Sequence, residues 1–176
     1  MNILGCIFFI SIALTLIFAG VAKMLSYTNT IYTIKKIDIF PKKIVNVIGI
    51  FMPIFEIVAA IFLIIKLNKL IIILLIGYLL FFIGLNLKYI IEKKDVKCCC
   101  YGKFIESKLG KGGFIHYLYL LFLLIIGYTC VNNSIINILN LHEIEKILVI
   151  VFVSFLLMIN GFLIRSVIEK YGLKEW

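Results

Sequence analysis

Three consecutive cysteines, Cys98, Cys99 and Cys100, followed by Tyr101 and Gly102, are the residues in this chain whose types and spacing best suit chemistry. Neighbouring cysteines close only a strained disulfide, whereas Cys98 and Cys100, one residue apart, close more easily. Strained, exposed disulfides are the oxidising, labile kind. Lys94, Lys97 and Lys103 flank the cluster. Nearby positive charge favours the thiolate, which is the reactive form of a thiol. Gly102 admits a tight turn directly after the sulfurs. Two other readings stand beside thiol redox chemistry. Cysteines suit soft ions such as Cu(I) or Zn, but a tetrahedral site wants a second ligand pair elsewhere, and three neighbours do not easily wrap one ion. The cluster is also compatible with no chemistry at all.

Glu56 is the second candidate. It is the one formal charge inside an apolar run, and an intramembrane carboxylate is costly unless it is paired or protonated. Pro53, three residues earlier, removes a backbone donor and loosens a helix there. Lys23, at the end of the first apolar run, is the nearest partner visible in the sequence. The pair reads either as a proton or ion-pair site or as a polar clamp between helices. His116 falls within about one turn of the start of the fourth run, on the expected side of the cysteines, where it would assist thiolate formation. Cys6 and Cys130 are expected near the opposite face, where they would pair, relay electrons or simply pack as small apolar residues.

Five runs must position these residues: Ile3–Ala22, Ile44–Ile65, Leu70–Leu87, Gly112–Val131 and Ile147–Ile164. Each is close to the 20 residues that cross a ~30 Å hydrocarbon layer as a helix. Of the 176 residues, 64% are apolar and 15% charged. A soluble chain this short could not hide that much apolar side chain, so the solvent is lipid. Backbone groups in lipid must be paired within the segment, which makes the runs helices. The expected fold is all-α, a polytopic bundle with a four-helix core in residues 1–131. Residues 132–176 are expected to add an interfacial segment, a fifth transmembrane helix and a tail. The first run carries no positive leader; although Ile3-Leu4-Gly5-Cys6 looks like a lipoprotein box, only five residues precede Cys6, so a retained helix is expected.

Fifteen of the eighteen bases fall in the stretches Lys23–Lys43, Lys88–Lys111 and Arg165–Trp176. The positive-inside rule puts these in the cytoplasm, with the N-terminus outside and the C-terminus inside a bacterial inner membrane. The net charge of +9 then faces anionic lipid headgroups. Nucleic acid is not an expected partner, because no basic, aromatic-interleaved stripe lies outside the runs. Ile31–Phe40 and Asn133–Glu143 read as interfacial helices or ordinary loops. Pro41 is expected to help start the second transmembrane helix. Gly77 and Gly84 share a helix face suited to close packing, and Asn86 and Asn160 are expected to hydrogen-bond between helices. No phosphate-binding glycine loop appears, and two histidines, His116 and His142, are too few for a haem or a histidine-rich metal core. No cofactor is expected.

Three strings together resemble one family. Phe18-Ala19-Gly20-Val21-Ala22-Lys23 resembles the end of the first helix in MauE-like and DoxX-like membrane proteins. Pro53-Ile54-Phe55-Glu56 looks like their Pro-x-x-Glu, and Cys98-Cys99-Cys100-Tyr101-Gly102 is similar to the Cys-x-Cys-Phe-Gly of the MauE branch, with Tyr101 for Phe. The resemblance covers about residues 1–130. It implies a four-helix membrane bundle and a role in thiol redox or disulfide maturation beside a thioredoxin-like partner or a disulfide-containing client, as in methylamine utilisation. Lys23, Glu56, Cys98 and Cys100 would be the functional set. The chain departs from the pattern in its fifth helix, its third cysteine and a charge distribution that puts the cysteines in the cytoplasm, where disulfides are rare.

Three functions follow as expectations. The first is a membrane thiol-redox helper acting through Cys98 and Cys100. The second is a non-enzymatic membrane partner or immunity-type subunit. The third is a small proton-linked transporter centred on Glu56, for which the chain is short and lacks paired halves with broken helices.

Overall fold

In the computed structural model, the described residues are 3–37, 39–41, 43–65, 68–93, 96–98, 107–130 and 144–171, with side chains described outside 96–98 and 107–108. Among them the helices are α1 (Ile3–Leu25), α2 (Tyr27–Ile37), α3 (Val45–Ile65), α4 (Lys69–Ile91), α5 (Lys111–Cys130) and α6 (Ile144–Tyr171). All except α2 are long and apolar enough to cross a membrane. The chain is a polytopic helical bundle, as its apolar runs require. Two short strands add to it: β1 (Val96–Cys98) and β2 (Ser107–Leu109), paired antiparallel with Cys98 opposite Ser107. Three-residue strands carry too few side chains to show an alternation in the sequence.

Helix α1 is central, packing against α3, α5 and α6, while α4 packs mainly on α5. Phe9, Ile12, Ala13 and Leu16 of α1 meet Ala59 and Leu63 of α3, Leu75 and Leu79 of α4, and Leu120 and Leu124 of α5 in one buried cluster. Outward faces remain apolar, as at Val47, Phe51, Ile73, Phe122, Leu148 and Phe152, because the surrounding hydrocarbon is as apolar as the core. Helices in lipid gain little from apolar burial against each other, so close packing and polar links decide their partners.

The glycines that bring helices together are not the expected ones. Gly77 and Gly84 are exposed, with open space where a Cβ would stand. Gly20 instead abuts α3: a Cβ there would lie 2.9 Å from the Pro53 carbonyl oxygen and 2.7 Å from Ile57 Cγ1. Spacing alone marks a shared face, and only the neighbour decides whether that face meets protein or lipid. Asn160, expected between helices, is exposed. Asn86 is fully buried. Its Nδ2 donates to the Phe82 carbonyl on its own helix, while its Oδ1 accepts from the Gly110 N–H at 3.0 Å.

Helix α6 extends to Tyr171, so Arg165 is a helical residue, 1% exposed, rather than part of a tail. It packs on both α1 and α5. Ser154 Oγ donates to the Ile7 carbonyl and Tyr119 Oη to the Leu157 carbonyl, tying α6 to α1 and α5. Ile31–Phe40, read as an interfacial stretch or a loop, contains most of α2. Its isoleucine stripe turns inward, with Ile34 buried, Ile31 against Gly49 and Ile37 packed beside Leu85 and Tyr89. Lys35, Lys36 and Tyr32 face outward. Pro41 precedes α3, its carbonyl accepting from the Ile44 N–H at 2.9 Å. The segment Asn133–Glu143 lies outside the described residues.

Candidate functional site

The strings Phe18–Lys23 and Pro53–Glu56 meet in space. Small residues at Ala19, Gly20 and Ala22 let the last turns of α1 approach α3 at Pro53. One turn beyond Gly20, Lys23 Nζ pairs with Glu56 Oε1, with the two side chains 3% exposed each. Tyr78 of α4 donates its hydroxyl to the same carboxylate oxygen. Glu56 Oε2 is buried with no hydrogen-bond partner among the described residues. Burying either charge alone would be prohibitive, and the pair persists because each neutralises the other at contact distance.

Aromatic rings wall off the pair. Tyr78 packs on Phe55 at 5.3 Å and on Phe82 at 4.9 Å between centroids, and Phe82 stacks on Tyr117 of α5 at 4.9 Å. Lys23 Nζ stands 6.0 Å from the Phe82 ring centre, at the edge of cation–π range. The site therefore draws on α1, α3, α4 and α5. Between α3 and α4 an apolar groove of about 300 Å³ runs along Phe51, Phe55, Leu74, Tyr78 and Phe81. Tyr78 is its wall on one side and the holder of Glu56 on the other.

Sequence reasoning placed Lys23 and Glu56 in the candidate set but missed Tyr78. One tyrosine among the nine in the chain carries no signal until α4 is folded against α3. It also missed Arg165, whose Nε bonds Glu169 Oε1 at 2.8 Å one turn along α6. An arginine at the end of an apolar run reads as an interfacial base unless the helix is seen to continue.

His116 stands at the cysteine end of α5, but its ring is turned into the α5–α6 interface. It is 1% exposed, its Nδ1 lies 3.0 Å from the Gly161 carbonyl oxygen, and it stacks on Phe162. Gly161 leaves room chiefly for the neighbouring Tyr119 ring, which a Cβ there would meet at 3.0 Å. The His116 ring thus joins α5 to α6 at the end of the bundle where the cysteine ladder sits.

Of the cysteine cluster, the backbone of Cys98 is described, on β1; Cys99 and Cys100 lie outside the described residues, as do Tyr101 and Gly102. The ladder sits at the end of the bundle where α1 and α4 finish and α5 begins, the same end as Lys23. Leu109 of β2 is buried there beside Ala19, Leu85 and Tyr89, with Phe18, Ile37 and Phe162 packed around them. Ala19 is one turn before Lys23, and the strand that pairs with Cys98 packs on α5, α4 and α6 at this same end of the bundle. Cys6 is buried and Cys130 partly buried, and both thiols are free; they lie at the opposite end, at the start of α1 and the end of α5.

The family model described as methylamine utilisation protein MauE matches residues 1–131. That span holds Lys23, Glu56, Tyr78 and the cysteine ladder and ends just after α5, leaving out α6. No curated protein and no solved structure matches the chain.

Proposed function

The chain belongs to the MauE family, and from that membership we propose that it is a thiol-redox helper of the bacterial inner membrane. It exchanges electrons between Cys98 and Cys100 and the thiols of a partner, supporting disulfide maturation of a client protein. A thioredoxin-like protein or the disulfide-containing client itself is the partner of suitable chemistry, and methylamine utilisation is the process the family description suggests. The observation that carries this reading is the seating of the Cys98 strand at the mouth of the bundle by the buried Leu109. A reactive thiol needs a position that is held yet within reach of a partner, and a short ladder anchored on helix ends would hold the backbone of Cys98. By the charge rule the ladder faces the cytoplasm, so the cluster would draw electrons from an inner donor.

In cells carrying Cys98→Ser/Cys100→Ser, trapping of free thiols across the membrane and exported proteins should reveal at least one client with an altered thiol state. An identical thiol pattern in the parent and the double variant sinks the redox reading. A non-enzymatic membrane partner would then be favoured if the cysteine-free chain still co-purified with its partner.

A second reading rests on Glu56. Its buried carboxylate, held on one oxygen by Lys23 and Tyr78 and unpartnered on the other, is a site of the kind proton-linked transporters use. In that reading Glu56→Gln abolishes flux while Cys98→Ser leaves it intact.

A further inference from the structure

Cys98 lies on β1, and its partner strand β2 is tied to the bundle by the buried Leu109 and by the Gly110 peptide that follows it. The geometry points to Asn86 as the positioning residue of the cysteine cluster, acting through Gly110; this rests on the thiol-redox reading above. Asn86 is 0% exposed, on α4. Its Oδ1 accepts from the Gly110 N–H at 3.0 Å, and its Nδ2 donates to the Phe82 carbonyl at 2.8 Å. Gly110 is the single residue between β2 and α5. Its φ of 151° is one that side-chain-bearing residues rarely adopt. Its carbonyl accepts the N–H of Phe114 at 2.9 Å, opening α5. The peptide that turns the ladder into the helix is thus fixed on one side by α5 and on the other by Asn86.

Two neighbours make this seat specific. Leu109, one residue earlier, is buried among Ala19, Leu85 and Tyr89 and sets the depth of the strand. Gly113, one turn into α5, presses on the amide: a Cβ there would lie 2.2 Å from Asn86 Oδ1. The amide therefore fills a slot that admits no other group at residue 113. Cys98 pairs with Ser107, three residues before Gly110, so movement of the Gly110 peptide is passed along a strand only three residues long to the sulfur-bearing strand. Asn86 also binds the carbonyl of Phe82, whose ring lies beside Lys23. The same side chain thus joins the ladder to the helix turn that walls the ion pair. It touches no reacting atom and works by holding the backbone that carries them.

The test uses the full-length chain in native membranes with Cys6→Ala and Cys130→Ala, so that the cluster alone reports. The rate of alkylation by a membrane-impermeant maleimide is measured alongside thermal unfolding in detergent. Asn86→Ala should change the alkylation rate about tenfold, the factor a lost hydrogen bond of about 1.4 kcal/mol allows. Gly113→Ala, which displaces the amide without removing it, should change the rate in the same direction, and adding Asn86→Ala to it should change little more. Asn86→Asp keeps the acceptor for Gly110 and loses the donor to Phe82. It should return the rate toward the parent's even where it lowers the melting temperature, a split that a purely structural role does not produce. Parent-like rates in both Asn86→Ala and Gly113→Ala overturn the positioning role and leave the redox reading standing. A parent cluster inert to maleimide and to oxidant overturns the redox reading, and the positioning role with it.

Discussion

Two of the ion pairs among the described residues, both with a buried cation at the same end of the bundle, are built differently. Lys23 and Glu56 come from α1 and α3, 33 residues apart, and both are almost completely buried. Arg165 and Glu169 are one turn apart on α6, and Glu169 remains 16% exposed. The first pair can form only when two helices are in register, so its energy depends on the tertiary arrangement. The second forms whenever α6 is helical and needs no neighbour. An inter-helix pair selects one packing among many; an intra-helix pair puts no such condition on how its helix packs. The first lies inside the segment shared with the MauE family and the second outside it. The pair that sets the register of α1 on α3 therefore falls inside the family-matched segment, while Arg165 finds this partner on α6 itself.

The contrast can be broken most forcefully at Glu56. Glu56→Gln or Lys23→Met leaves a buried charge without its counter-ion and should lower stability by about 3–5 kcal/mol, read by thermal unfolding or steric trapping in detergent. The double variant Lys23→Met/Glu56→Leu should recover most of that loss if the pair acts as a clamp, since apolar replacement of a whole buried pair is often neutral. A double variant as unstable as the singles would show that the contacts around the pair, not its charges, set the register.

A smaller effect separates the partners of the two carboxylates. Tyr78→Phe removes a donor to a buried carboxylate and should cost about 1.5–3 kcal/mol. Glu169→Gln keeps a neutral acceptor beside Arg165 Nε but takes a counter-charge from a buried guanidinium; because water partly reaches residue 169, it should cost less than Glu56→Gln, about 1–3 kcal/mol. A loss at Glu169→Gln as large as that at Glu56→Gln would erase the distinction between the inter-helix and intra-helix pairs.

The smallest effects sharpen the comparison at glycine. Gly20→Ala meets the Pro53 carbonyl and Ile57 and should cost about 1–3 kcal/mol through overpacking. Gly77→Ala enters open space and should raise stability by up to about 1 kcal/mol, the helix propensity difference. Comparable destabilisation at both would mean that Gly77 faces a partner, such as a second copy of the chain, rather than lipid.

Much of this was legible in the residues themselves. An unbroken apolar run of about 20 residues has one stable solution in lipid, a helix, so the five spans could be read without any neighbour. Glu56 could be singled out because a charge in such a run must find a partner. The rest depended on which faces met. Asn86 and Asn160 are the same residue type in similar runs, yet one is fully buried against the α5 start and the other faces out. His116 gave no sign in the sequence that its ring would meet the Gly161 carbonyl of α6. The ladder left no trace, because its pairing joins residues about ten apart through backbone alone.

The amino-acid sequence by itself determined that this chain is a membrane bundle and which segments cross, and it singled out Lys23, Glu56 and a trio of cysteines as candidate site residues. Those features follow from the free energy of moving each residue between water and hydrocarbon, a property the residue carries on its own. Only the tertiary structure decided that Tyr78 shares the Glu56 carboxylate, that α6 buries an arginine, and that Asn86 grips the peptide beneath the cysteine ladder. Each of these is a relation between atoms on different helices, fixed by packing geometry that no single segment contains.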